Sequence, residues 1–259
     1  MPGYLTKQEC IAIAGAASLQ IQSLLDKQQF SDPLGVASRL GIGSAAWPLF
    51  GLLWPSGAHL AERMAAHVLL PGQRILEVGC GLGLASLVGH RRGADMTASD
   101  CHPLAARFLA INLRLNALPP MKYQAAEWDP AVSQAAGAPP DHSQRYELII
   151  GSDVLYDRNA SQALAGFIGR HAMPSCEVWI VDPERGNRLG FSRRLEALGF
   201  VTSQTRLDCA ATADAVAYKG RMLTYRRTDP GAFKPSPPGL PGPPALPPAR
   251  LRSARPSGR

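Results

Sequence analysis

Arg74-Ile-Leu-Glu77-Val-Gly79-Cys-Gly81-Leu-Gly83 is the stretch that decides the fold. Arg74 to Val78 is an apolar run of strand length, and Gly83 to Arg91 continues as a helical pattern. Between them glycines recur at every second position, which lets the backbone turn tightly and approach a ligand closer than a Cβ would allow. The helix start beyond them offers free amides and a partial positive charge. A dinucleotide-binding turn carries GxGxxG, whereas here the sixth position is Leu84 and Glu77 stands just ahead of the loop. That acidic residue suits a ligand with an ammonium and a carboxylate better than a diphosphate. A plain tight strand-to-helix turn is the alternative reading.

Working outward, strand and helix patterns alternate. Strands are expected at Asp95–Ser99, Met121–Ala125, Tyr146–Ser152 and Glu177–Val181. Helices are expected at Pro103–Asn116, Ala160–Arg170 and Leu189–Leu198, with Phe200–Arg206 and Ala215–Arg226 as a closing antiparallel pair. Such alternation predicts an α/β, Rossmann-like, mostly parallel sheet of seven strands with an antiparallel closing strand and helices on both faces. Upstream, His59–Leu70 reads as a helix, Ala46–Gly57 as an aromatic and glycine-rich connector, and Ile11 to Leu25 as an amphipathic helix. Residues 130–143 read as a polar loop.

Composition sets the boundaries. Of 23 prolines, ten lie between Pro230 and Pro256 in a stretch nearly free of β-branched and aromatic residues. Such a segment cannot bury enough apolar surface to order itself. The expected organisation is a helical extension at 1–45, one domain at 46–227 and a disordered, basic, Pro-rich tail at 228–259. The net charge is +7, of which Lys234, Arg250, Arg252, Arg255 and Arg259 against Asp229 place +4 in the tail. The body lacks a basic run interleaved with aromatics, so nucleic acid is not the expected partner. Five cysteines without regular spacing fit neither a disulfide framework nor a metal site, and reduced thiols in the cytoplasm are expected. No apolar run is long enough for a membrane span.

Ligands of open parallel sheets sit at the carboxyl ends of the strands, so the residues ending each strand matter most. Asp100 ends the second strand, 17 residues past Gly83. It can accept both ribose hydroxyls of a nucleoside, or cap the next helix. After the third strand comes Glu127-Trp128-Asp129, whose indole either flanks an adenine ring or belongs to the core. The fourth strand ends Ser152-Asp153-Val-Leu-Tyr156. Val154 and Leu155 stand where methyltransferases of nucleobase amines carry two prolines, which argues against a base as the target. Asp153 as a helix cap and Tyr156 as a core residue are the alternatives.

These motifs, with Leu53-Trp54-Pro-Ser-Gly57 and Asp182-Pro-Glu-Arg-Gly186, resemble the seven-β-strand protein lysine methyltransferases. The electron-transfer-flavoprotein β-subunit lysine methyltransferase type is the nearest subgroup. The likeness runs from about Trp47 to Arg226, and departs from the family pattern at Glu184, where glycine is usual. It implies S-adenosylmethionine as cofactor, held by Trp54, Glu77, Gly79, Gly81, Gly83, Asp100, Trp128 and Ser152. Asp153 and Tyr156 are then the catalytic pair, with no metal. A protein substrate, its lysine taking the methyl group, is the acceptor this implies. A small-molecule amine on the same fold, or a non-catalytic binding module with a recruiting tail, are the competing functions.

Overall fold

In the computed structural model, residues 3–129, 144–211 and 217–229 are described. The expected loop at 130–143 and the tail beyond Asp229 lie outside them. In chain order the elements are β1 (Thr6–Ile13), β2 (Ala16–Leu24), α1 (Val36–Arg39), a 3-10 turn (Trp47–Gly51), α2 (Pro55–Ala66), β3 (Arg74–Val78), α3 (Leu84–Arg91), β4 (Asp95–Asp100) and α4 (Ala105–Leu115). Then come β5 (Lys122–Ala125), β6 (Tyr146–Ser152), α5 (Arg158–His171), β7 (Ala172–Asp182), α6 (Arg188–Ala197), β8 (Val201–Cys209) and β9 (Tyr218–Arg227). The described residues up to Thr228 belong to one compact unit.

Seven strands form one sheet in the order β5-β4-β3-β6-β7-β9-β8. Neighbours from β5 to β7 are parallel, while β9 runs antiparallel between β7 and β8. The expected Rossmann-like architecture is therefore present. Along the central strands, alternate residues feed two cores. Ile75, Leu148, Ile150, Trp179 and Val181 face the one shared with α2, α3 and α4. Leu76, Val78, Ile149, Val178 and Ile180 face the one shared with α5 and α6. Burial on both sides explains why these strands read as continuous apolar runs.

The order reverses between β3 and β6. The chain leaves β3 toward β4 and β5, then returns to pair β6 with the other edge of β3. That crevice, at the carboxyl ends, is where this architecture places ligands. The glycine loop and Asp153 border it.

The N-terminal segment corrects the sequence reading, for it is a β-hairpin and not a helix. Ala14 and Gly15 make a two-residue turn between Ile13 and Ala16, with Gly15 at φ +79°. Leu19, Ile21 and Ser23 are buried while Gln20 is exposed, a period of two. Helix α4 completes the hairpin's outer edge: Gln20 N and Gln22 N donate to Asn116 Oδ1 and Asn112 Oδ1 at 2.9 and 2.8 Å. Tertiary pairing thus overrides the helical spacing of Ile21, Leu24 and Leu25.

Helix α2 also begins earlier and ends sooner than expected. Pro55 serves as its first residue, a position that needs no N–H. At the other end Arg92 donates to the carbonyls of Met64 and His67 at 2.5 and 2.7 Å, closing the helix before Leu70.

Candidate active site

All three loop glycines have positive φ: Gly79 at 58°, Gly81 at 51° and Gly83 at 75°. A Cβ on Gly79 would lie 2.8 Å from Val154 Cγ1, and one on Gly81 only 2.7 Å from the Phe50 carbonyl oxygen. The loop is therefore pressed between β6's exit and the 3-10 turn, which is more than a plain strand-to-helix turn requires.

Asp100 fixes the loop from the neighbouring strand. Its Oδ2 accepts from Gly81 N at 2.9 Å and its Oδ1 from His102 N at 2.8 Å. Helix α4 takes no side-chain cap, so capping is not the role of Asp100. Burial pushes its carboxyl pKa up, against the backbone bonds that lower it. This carboxylate thus ties the tip of β4 to the glycine loop.

Glu77 sits behind the loop. It is buried, and its Oε2 accepts from Ser86 N at 2.8 Å and from the Ser86 hydroxyl. Burial raises its pKa to about 7, although the Ser86 bonds oppose the shift. These contacts tie β3 to the first turn of α3 and shape the loop from beneath.

The other expected cofactor residues have different surroundings. Trp128 packs on the second core, and its ring edge lies 3.5 Å from where a Gly79 Cβ would stand, so it is at once core and loop wall. Trp54 donates its indole N–H to Leu49 O at 2.9 Å, with Lys27 Nζ 5.4 Å above the ring. Ser152 ends β6, its Oγ 3.7 Å from a Cβ built on Gly57. The segment 47–57 thus spans from the glycine loop at Phe50 to the tip of β6 at Gly57.

One residue at this edge was not picked out from sequence. His102 stacks on Phe50 with ring centroids 3.7 Å apart and meets Trp47 edge-on at 5.4 Å. Burial lowers its pKa to about 4, so it is neutral near pH 7. It clamps the turn after Asp100 to the connector. A lone histidine after a strand carries no periodic signal that would reveal this.

On the other side of the switch point, Asp153 has φ +57° and donates its own N–H to Val181 O at 3.0 Å. Such a conformation is costly for a residue with a Cβ and collects at functional sites. Asp157, not Asp153, caps α5, accepting from Ala160 N at 2.8 Å. Val154 and Leu155 are buried anchors, whereas Tyr156 is 55% exposed and so is not core. The alternative reading of both motif ends is thereby removed.

The tip of β7 adds a second acidic group. Asp182 is fully buried, and burial raises its pKa to about 6. Arg185 links it to Asp153, donating its amide to Asp182 Oδ2 at 2.9 Å and Nη2 to Asp153 Oδ1 at 3.0 Å. Nearby, Ser56 Oγ and the Tyr218 hydroxyl are 2.8 Å apart. A hollow of about 320 Å³ lined by Leu69, Pro71, Gln73 and Ala94 lies at the amino ends of β3 and β4, away from all of this. It has no part in the site.

A family model described as lysine methyltransferase matches residues 49–189. The electron transfer flavoprotein beta subunit lysine methyltransferase of Xenopus laevis is 27% identical over 141 residues, covering 53% of this chain and 53% of that protein. The histone-arginine methyltransferase METTL23 of Rattus norvegicus is 29% identical over 40% of this chain and 46% of its own length. The chain spans about half the length of the curated relatives it matches. Among solved structures, the T. thermophilus 16S rRNA N2 G1207 methyltransferase in complex with AdoMet and guanosine superposes with a TM-score of 0.55 at 17% identity. It covers 86% of this chain and 51% of that one. A ribosomal protein L11 methylase from Lactobacillus delbrueckii subsp. bulgaricus gives 0.51 at 16% identity, covering 68% of this chain and 81% of that one. At these identities the structures speak for the fold alone.

Proposed function

The chain belongs to the lysine methyltransferase family, and from that premise we propose that it transfers the methyl group of S-adenosylmethionine to a lysine side chain of a protein. The observation that carries this reading is the convergence of three strand tips. The side-chain-free loop of β3, the Asp100 carboxylate of β4 and Asp153 of β6 meet around one crevice, with Asp100 bonded to the loop at 2.9 Å.

The residues fit the cofactor. Gly79 and Gly81 leave a cradle that a Cβ would fill, Asp100 would hold the ribose hydroxyls, and Trp128 would flank the adenine. Glu77 acts through Ser86 by holding the loop's shape, and Trp54 and Ser152 belong to the connector and strand tip that close the crevice. When bound, the cofactor supplies an electrophilic methyl group on a sulfonium, and the protein orients the partners and excludes water.

The acceptor must attack as a neutral amine. At pH 7 deprotonating a free lysine, of pKa about 10.4, costs roughly 4–5 kcal/mol. A partly closed apolar pocket lowers that cost by disfavouring the ammonium. The exposed ring of Tyr156 supplies such a wall, and Asp153 orients the nitrogen. The five unpaired cysteines support a reducing, cytoplasmic setting, and the modest charge of the body supports a protein over nucleic acid as substrate.

The test is incubation of the full chain with methyl-labelled cofactor and a lysate split into protein and small-molecule fractions. Label on lysine in the protein fraction is expected. Label confined to small molecules would transfer the assignment to a small-molecule amine.

A further inference from the structure

A cation already seated on Asp153 is what the chemistry above leaves unexplained. Arg185 touches both carboxylates at the tips of β6 and β7, one through its guanidinium and the other through its amide. Asp182 is fully buried, yet its Oδ1 has no partner among the described residues, and neither has Arg185 Nε. The remaining charges nearby are engaged elsewhere. Glu184 accepts from Arg221 Nε at 2.9 Å, and Arg188 Nη1 donates to Gln204 at 2.5 Å. Farther back, the Tyr218 hydroxyl is held by Ser56, with the His59 ring against Tyr218.

The bare oxygen of a buried carboxylate costs free energy that an additional positive donor would recover. The Arg185 side chain is 39% exposed and that of Asp153 13%, so their pair lies at the solvent boundary, where ion pairs are weak and exchangeable. We propose that Asp153 and Asp182 together seat the cationic head of the acceptor side chain, and that Arg185 is the resident occupant of that seat, leaving through its exposed side as the acceptor enters.

An ammonium carries three donors, enough for the Asp153 oxygen that Arg185 vacates and the unpartnered oxygen of Asp182. The Arg185 amide stays on Asp182 throughout, so the exchange requires only side-chain rotation. The resident cation also sets a threshold: a neutral side chain cannot replace the ion pair it would break, so entry favours a cation. The two carboxylates stabilise the ammonium, so this seat selects the acceptor on entry and opposes its deprotonation, which falls to the apolar wall beside it.

This inference rests on the transferase reading, and its test keeps the two apart. The full chain loaded with S-adenosylhomocysteine is titrated with n-butylammonium, the lysine side chain as a free ion, and with n-propylguanidinium, its arginine counterpart. Affinity is read by NMR shifts. Arg185→Gln should bind at least one cation about 3–5-fold more tightly than wild type, the range an exchangeable ion pair allows. Arg185→Lys should restore wild-type affinity, n-butanol should show no change, and Asp182→Asn should bind the cations more weakly. Cation affinities unchanged by Arg185→Gln, or equal tightening for n-butanol, would overturn the proposal. If Arg185→Gln does not fold, undiminished cation binding by Asp182→Asn overturns it. Wild-type protein that takes up no S-adenosylhomocysteine at all would instead count against the transferase reading.

Discussion

The tips of β3 and β4 and the tips of β6 and β7 face one crevice but are built on different terms. On the first side the strained backbone positions are glycines, for which positive φ costs little, and both oxygens of the Asp100 carboxylate already hold backbone amides. On the second side the positive-φ positions are Asp153 and Glu184, at 57° and 60°, where a Cβ makes the conformation costly. There too a half-exposed arginine bridges two carboxylates, and one carboxylate oxygen has no partner among the described residues. A preorganised half fits a cofactor that is the same in every turnover. A half with exchangeable side chains fits an acceptor that must enter, lose a proton and leave.

The comparison can be broken most forcefully at Asp153. Asp153→Ala should lower kcat by on the order of 10²-fold or more, the scale of lost positioning, while leaving S-adenosylhomocysteine affinity near wild type. A parallel loss of cofactor affinity would show that the two halves are not separable.

Next in size is a pH effect buried in the cofactor half. Glu77 has its pKa raised from 4.5 to about 7, so the folded state binds a proton that the unfolded state has released. The resulting stability is fully present below about pH 4.5 and is lost as pH rises through about 7, by on the order of 3 kcal/mol. Asp182 contributes in the same direction between 3.8 and about 6. Denaturant titrations from pH 5 to 8 should show this decline, and Glu77→Gln should remove most of it. A Glu77→Gln profile as steep as wild type would place the titration elsewhere.

Gly81→Ala sharpens the backbone side of the argument. The new Cβ meets the Phe50 carbonyl at 2.7 Å in a left-handed conformation, for a combined cost of about 2–3 kcal/mol in stability or cofactor affinity. Smallest of all is Glu184→Gly. Relief of positive φ is worth about 1 kcal/mol or less once the exposed pair with Arg221 is subtracted, so the melting temperature should rise slightly or stay level. A clear fall would mean that the Arg221 pair, not the backbone, governs this turn.

The sequence spoke most clearly where local pattern and tertiary environment agree. β3 and β6 were read to the residue because their apolar runs are buried on both faces and end at a loop. The turn at Gly79, Gly81 and Gly83 was legible because its positive φ angles at a strand tip demand glycine. The hairpin at 6–24 was not, since the spacing of Ile21, Leu24 and Leu25 mimics a helix and the deciding partners, Asn112 and Asn116, lie about 90 residues away. The bond from Ser86 to Glu77 Oε2 was not legible either, because which oxygen of a buried acid meets which donor is not written in spacing. The reach of Arg185 back to Asp153, across 32 residues, is likewise a property of the folded turn.

The central claim is that the β3 loop and Asp100 form a ready-made seat for an adenosyl ligand. Isothermal titration of the full chain with S-adenosylhomocysteine, in wild type and Asp100→Ala, tests it most directly. Saturable binding to wild type, weakened in Asp100→Ala by on the order of 1–3 kcal/mol, is the predicted result. Absence of binding to wild type, or equal binding by both proteins, would contradict it.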